Sequence, residues 1–469
     1  MLLLVARAWF IWGGALAFAG VVVKEWSSSP QNVHSKLIKE EATSIYRLEV
    51  VFKDRLCDRG DVNSHKDNST FLVSRKYGNA VRSRVVGPDE LLLHIEGYSL
   101  QNLLPVYKEC GYYEKAFSVH VDGVYHLHLV RLRTNYSSIN ELMDVFPEIN
   151  YEVIVSDWIA LSKHPSHQIM NCNRHIGVWA LNSSSAQYMD KSFDTLESAE
   201  ALVPITLKTG DKNFQRDLPL QSFVNVSSKT VMSADRTGCG TSIDAYSFFY
   251  CNHTAYTADY ASALLAKRTL TFIGDSQSRV LVSTLLEWAC SIPIVDKNKQ
   301  FKNTYIAETA EKCPGLKVNV VSNVYCEIRA DFQTKVQKDE LVFFNCGHWP
   351  ASQEHFTFDM YGDALEALIQ KIKRISPNRF VFIETLPMPV RNDKFVKSFR
   401  DWRTLHRLYV YNRIAEKLFK QHNFSFLPTF ETLLPLVDKF CDNAHYTAAG
   451  ALQPIIQQVL IKVENLLGK

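Results

Sequence analysis

Ser276 sits in the run FIGDSQSR at 272–279. The apolar stretch before it ends at Ile273, Gly274 permits a tight turn, and the apolar spacing after it predicts a helix that starts at Ser276. Backbone N–H groups at a helix N-terminus stabilise negative charge. A serine so placed can attack a carbonyl while local amides hold the developing oxyanion. The plainer reading is that Asp275 or Ser276 simply caps the helix.

Asp442 and His445 stand three residues apart in DNAH. That spacing brings both side chains to one side of a turn, where the carboxylate can orient the imidazole and stabilise its cation. The imidazole can then take the serine proton. The plainer alternative is a helix cap with an incidental histidine. With Ser276 the chain order is Ser, Asp, His, which suits an acyl-transfer triad. A third motif, FNCGHWP at 344–350, follows another apolar run. Asn345 could donate to an oxyanion through its amide, and Gly347 could offer its N–H at close approach. His348 and Trp349 read equally as packing residues of a polar turn. Cys346 beside His348 suggests either a thiol nucleophile or, in an oxidising compartment, a disulfide.

The elements that must hold these motifs alternate over 231–469. Residues 269–273 (TLTFI), 341–344 (LVFF), 380–383 (FVFI) and 424–427 (FSFL) read as strands. Helical periods cover 277–289, 365–375, 402–419 and 448–467. Strand–helix alternation predicts a parallel α/β sheet covered on both faces, with its site at the carboxyl ends of the strands. Residues 41–160 differ. Short alternating runs at 46–52, 90–95, 116–121, 124–132 and 151–156 predict an antiparallel β-sandwich, with a hairpin turn at Asp122-Gly123. Residues 161–230 read as a connecting region, and the polar EWSSSPQNVH around 25–40 as a stem or linker.

Residues 8–23 form an apolar run between Arg7 and Lys24, so 1–24 reads as a signal peptide or an uncleaved signal anchor. Six N-x-S/T sequons follow it, at Asn68, Asn135, Asn182, Asn225, Asn252 and Asn423. Together with 10 cysteines they point to the secretory pathway. The protein is then expected as a Golgi single-pass type II membrane protein, or as a secreted one if the segment is cleaved. Cys57 with Cys110, and Cys239 with Cys251, are candidate pairs, but spacing does not determine connectivity. A hydrophobic share of 46% with 22% charged residues excludes a wholly disordered chain. A net charge of +3 without a long basic cluster argues against a nucleic-acid partner. His126 and His128 share a strand face near His120, yet a metal site needs a third ligand in suitable geometry, and no metal is expected.

GDSQSR, NCGHW and DNAH, in this order, resemble the PC-esterase group of the SGNH/GDSL-like hydrolases. The group includes plant trichome-birefringence-like wall-polysaccharide acetyltransferases, the sialic acid O-acetyltransferase, and the neurexophilin-and-PC-esterase proteins. The resemblance covers 231–469 and implies a three-layer SGNH-like α/β domain. The upstream sandwich is similar in layout to the immunoglobulin- or filamin-like part of the neurexophilin-and-PC-esterase proteins. By this resemblance Ser276 is the nucleophile, His445 the general base and Asp442 its orienter. Asn345, Gly347 and His348 line the oxyanion or substrate side, and Arg279 braces the site. Two positions depart from the plant pattern: Cys441 precedes the acidic residue rather than following it, and Tyr446 rather than tryptophan follows the histidine.

The expected function is O-acyl, above all acetyl, transfer to or removal from glycan hydroxyls through an acyl-serine. The partners are a glycan or glycoconjugate, and a membrane if the N-terminal segment is kept. No bound cofactor is implied; the acyl donor, acetyl-CoA for example, would enter as co-substrate. The alternative is an inactive esterase fold that binds a glycan or a protein, because fold does not determine function.

Overall fold

The computed structural model describes residues 21–28, 33–40, 45–52, 89–97, 99–109, 112–119, 123–134, 148–161, 177–181, 220–224, 246–251, 255–292, 312–322, 325–326, 340–353, 356–375, 379–389, 403–437, 445–446 and 450–467. Two antiparallel sheets come first. One contains β1 (Val21–Ser28), β2 (Val33–Glu40), β3 (Ile45–Phe52), β6 (Val106–Glu109) and β7 (Tyr112–Phe117), in the order β1-β2-β3-β7-β6. The other contains β4 (Glu90–Glu96), β5 (Ser99–Leu103), β8 (Gly123–Thr134), β9 (Glu148–Leu161), β10 (Gly177–Leu181), β11 (Leu220–Val224) and β12 (Tyr246–Cys251), in the order β11-β12-β10-β5-β4-β8-β9. Alternation gives each strand one face for the shared core. Leu37, Leu48, Val50 and Tyr113 of the first sheet meet Leu91, Leu93, Tyr125 and Leu127 of the second in one buried cluster.

Several expectations change here. The segment expected as a stem at 25–40 holds β2 and the second half of β1, paired from Val21↔Glu40 to Ser28↔Val33. Its serines disguised a period-2 pattern whose inward residues include buried Ser35 and Leu37. The last valines of the apolar run, Val21, Val22 and Val23, open β1; residues 1–20 lie outside the described residues. The connecting region supplies β10 and β11, and the antiparallel sheet runs on past 231 into β12. Among the described residues β7 and β8 do not pair with each other across Asp122-Gly123, as a hairpin would require: β7 pairs with β3 and β6 whereas β8 pairs with β4 and β9. The chain changes sheets there, and two alternating runs beside a turn signal do not specify each other as partners. Five and seven strands also differ from the four and three of an immunoglobulin constant layout.

The α/β unit begins at α1 (Ala258–Leu265). It continues through β13 (Thr269–Gly274), α2 (Ser276–Cys290), β14 (Lys317–Ser322), β15 (Glu340–Phe344), α3 (His348–Ser352), α4 (Phe358–Ile375), β16 (Phe380–Ile383), α5 (Leu405–Gln421), β17 (Ser425–Leu427), α6 (Phe430–Leu433), a 3-10 turn (Leu434–Leu436) and α7 (Gln453–Leu467). Its sheet is parallel throughout, in the order β14-β13-β15-β16-β17. Leu341 and Phe343 face a cluster built with α1, α2 and α7, while Val342 and Phe344 face one built with α4 and α5. A strand buried on both faces shows no alternation, which is why LVFF and FVFI are continuous apolar runs. The strand order reverses between β13 and β15, and ligands bind open α/β sheets outside the strand ends at such a switch point.

The seven-stranded sheet packs its outer face on this unit. Leu92, Leu104, Val130 and Leu132 join the α4–α5 cluster, and Trp179 and Phe248 join the other. Trp179 Nε1 donates to Thr432 O at 2.9 Å, and Asn102 Nδ2 donates to the carbonyls of Leu434 at 3.0 Å and Pro435 at 3.2 Å.

Candidate active site

Two of the sequence motifs, at 272–279 and 344–350, lie at the switch point. β13 ends at Gly274, Asp275 follows, and Ser276 is the first residue of α2. Asp275, not Ser276, is the helix cap: its Oδ1 accepts from Gln277 N at 2.9 Å. The serine is therefore left without a capping duty, half-buried at the positive end of a four-turn helix. Gly274 is required by close approach, since a Cβ there would strike the Ser278 side chain and come within 3.1 Å of Asn345 O. Arg279 lies one turn along α2, half-buried.

On the adjacent strand end, residues 345–347 are pinned from several sides. Asn345 N donates to Ile273 O at 2.8 Å, and Asn345 Nδ2 donates to Ile383 O at 2.9 Å, so one residue ties the ends of β13, β15 and β16. Cys346 forms a disulfide with Cys326 and accepts from the Tyr361 hydroxyl on its carbonyl at 2.8 Å. The thiol is thus oxidised and not a nucleophile. A Cβ on Gly347 would collide with the Thr385 side chain. His348 then opens α3, 2% exposed.

His445 comes from the far end of the chain. Its neighbour Tyr446 is fully buried and donates its hydroxyl to Pro387 O at 2.7 Å, which anchors the segment beyond β16. Asp442 lies outside the described residues, as do Asn68, Asn135, Asn182, Asn225 and Asn252. Asn423 is exposed at the turn from α5 to β17, with φ of 58°.

Electrostatics show what gathers here. Burial pushes the Asp275 carboxyl up, with Gln277 N–H, Arg403 and His445 pulling partly against it. Burial pushes the His348 imidazole well down, and the electrostatic influence of Arg403 and His445 adds to that. Asp275, His348, Arg403 and His445 therefore share one locale. Asp275 Oδ2, Asn345 Oδ1 and both ring nitrogens of His348 are buried with no hydrogen-bond partner among the described residues. Unsatisfied buried polar atoms are rare in native folds, and each costs about 1–3 kcal/mol.

Sequence reasoning missed Arg403. It immediately precedes Thr404, whose Oγ1 caps α5 by accepting from Arg407 N at 3.1 Å. A cation at the positive end of a helix is disfavoured unless an anion faces it, and that mismatch was the available signal. On the other sheets, His128 Nε2 lies 2.8 Å from His126 Nδ1, and His126 Nε2 lies 2.9 Å from Ser156 Oγ. Among the described residues no group of three or more His, Cys, Asp or Glu side chains is arranged to hold a metal ion.

No protein-family model matches the chain, and no curated protein matches it. Among solved structures, it is similar to a protein from Lactobacillus plantarum at 11% identity and a TM-score of 0.29, over 43% of this chain and 98% of that one. It is similar also to a lipase/acylhydrolase from Enterococcus faecalis at 17% identity and a TM-score of 0.28, over 43% of this chain and 96% of that one.

Proposed function

We propose that the chain transfers O-acyl groups, acetyl first among them, to or from glycan hydroxyls through an acyl-serine intermediate. One observation carries the reading. Ser276 opens a helix at the switch point of a parallel sheet, beside buried polar atoms of Asp275, Asn345 and His348 that no described residue satisfies. The substrate class comes from the resemblance to PC-esterases of the SGNH type.

In the proposed reaction, Ser276 Oγ attacks the acyl carbonyl and its proton passes to His445. N–H groups at the first turn of α2 and at Gly347 stabilise the oxyanion; Asn345 instead fixes the strand end, since its backbone N–H goes to Ile273 O and its Nδ2 to Ile383 O. His445, oriented by Asp442, gives the proton to the leaving group as the carbonyl re-forms. An acceptor hydroxyl then loses its proton to His445, attacks the acyl-serine and releases Ser276, which regains a proton. Water in place of the sugar makes the same steps an ester hydrolysis. Acetyl-CoA or another acyl donor is a substrate of this cycle, not a resident group.

The disulfides Cys290–Cys313 and Cys326–Cys346 support an oxidising compartment. Among the described residues no helix is long and apolar enough to cross a membrane. Golgi anchoring through the N-terminal segment is part of the proposal.

The test is covalent labelling by a serine-directed fluorophosphonate, followed by incubation with labelled acetyl donors and a glycan panel. Labelling that depends on Ser276, and label transfer to a sugar, are the expected results. Absence of labelling above Ser276→Ala favours the inactive binding module.

A further inference from the structure

One ion-paired carboxylate crosses from the antiparallel sheets into the α/β unit. Glu90 of β4 is fully buried. It pairs with Arg133 of β8 on its own sheet through Oε2. Its Oε1 accepts from His406, from the backbone N–H at 3.3 Å and from ring Nδ1 at 3.1 Å. His406 is the second residue of α5, three residues beyond Arg403. The next residue, Arg407, is 4% exposed and clamps the end of α3. Its Nε donates to Ala351 O at 3.1 Å, and its Nη2 donates to Gln353 O at 3.2 Å and Phe356 O at 2.8 Å. The Tyr411 hydroxyl reinforces that grip on Phe356 O at 2.6 Å. α3 is the helix that His348 opens.

We infer that Glu90 and His406 are positioning residues of the candidate site. The antiparallel unit holds the first turn of α5, and that turn places Arg403 and, through Arg407 and α3, His348. The two-sheet unit is thus a working part of the site rather than an appended binding module. This inference rests on the proposed acyl-serine chemistry for its kinetic readout only.

The two partners of Glu90 allow a controlled comparison in the full chain. His406→Phe removes the ring contact to α5 and keeps the Glu90–Arg133 pair. Arg133→Gln removes the partner within the sheet and keeps the contact to α5. Both variants leave a buried carboxylate with one partner fewer, so both lower Tm. Fluorophosphonate labelling of the folded fraction is expected to slow by about tenfold or more in His406→Phe, because small displacements at a reacting centre are costly. It should stay within about twofold in Arg133→Gln. The pH dependence of labelling should shift in the first variant only. Equal rates and equal pH profiles in the two variants would overturn the inference.

Histidine ring NMR on the same proteins separates this from the function itself. If wild type does not label, the acyl-serine reading fails. The positioning inference then stands if the His348 and His445 ring signals move in His406→Phe and stay in place in Arg133→Gln. It falls if they move equally or not at all. Should His406→Phe not fold, Glu90→Asp is read in its place. That substitution shortens the same arm, and a labelling rate equal to that of Arg133→Gln would reject the idea.

Discussion

The Tyr446 hydroxyl donates to the Pro387 carbonyl at 2.7 Å, both groups being buried. This contact fixes the residue that follows His445 to the loop beyond β16, so it sets where the imidazole stands. Tyr446→Phe removes the donor and strands a buried carbonyl. A stability loss of about 1–3 kcal/mol is expected from denaturant unfolding. Serine labelling should slow beyond what the folded fraction explains.

Asp275 and Ser276 are adjacent, yet they carry separate duties. Ser276→Ala should abolish labelling and change stability by no more than about 0.5 kcal/mol, because Ser276 does not cap α2. Asp275→Ala should cost about 0.5–2 kcal/mol through the lost cap. If Ser276→Ala destabilises as strongly as Asp275→Ala, the division between cap and nucleophile is wrong.

Glu384, just past β16, is pushed up to about 7, chiefly by burial, against the pull of Arg413 and the N–H groups of Phe430 and Thr429. A carboxyl raised in the folded state contributes fully below its unfolded value of 4.5. That contribution is lost as pH climbs toward about 7. Thermal unfolding from pH 4.5 to 7 should show wild type losing on the order of 3 kcal/mol relative to Glu384→Gln.

Glu90 behaves in the opposite sense. Burial alone would raise its carboxyl, but Arg133 and His406 hold it down at about 2. Its contribution is present above 4.5 and disappears as pH falls toward about 2. Acid titration of Glu90→Gln should lack the wild-type loss in that window, again on the order of 3 kcal/mol.

The Cys326–Cys346 bridge closes a sequence separation of 20 beside Asn345 and Gly347. Replacing both cysteines by serine should lower stability by about 3 kcal/mol, read by denaturant unfolding. Labelling should also weaken, because residues 345–347 lose one of their pins.

How much of this was legible depended on burial. β13, β15 and β16 were readable because strands covered on both faces are unbroken apolar runs. The helices at 358–375, 405–421 and 453–467 were readable from their period, with starts displaced by up to seven residues. β14 was not, since KVNVVS at a sheet edge buries only Val318 and Val320. β1, β2 and β11 were hidden by serine, lysine and glutamine, whose placement the partner strands decide, and β10 (GVWAL) is only five residues long. At the site, Ser276, His348 and His445 stood out by motif. Arg403 did not, because its relation to Asp275 and His348 exists only once α5 packs against α3.

Asn423 precedes β17, so it lies at the edge of the parallel sheet opposite the strand ends that carry Ser276 and Asn345. A carbohydrate attached there would point away from Ser276 and Asn345. The same spot offers a tether: a chain or surface linked through Asn423 would immobilise the molecule with those strand ends turned toward the surrounding solution.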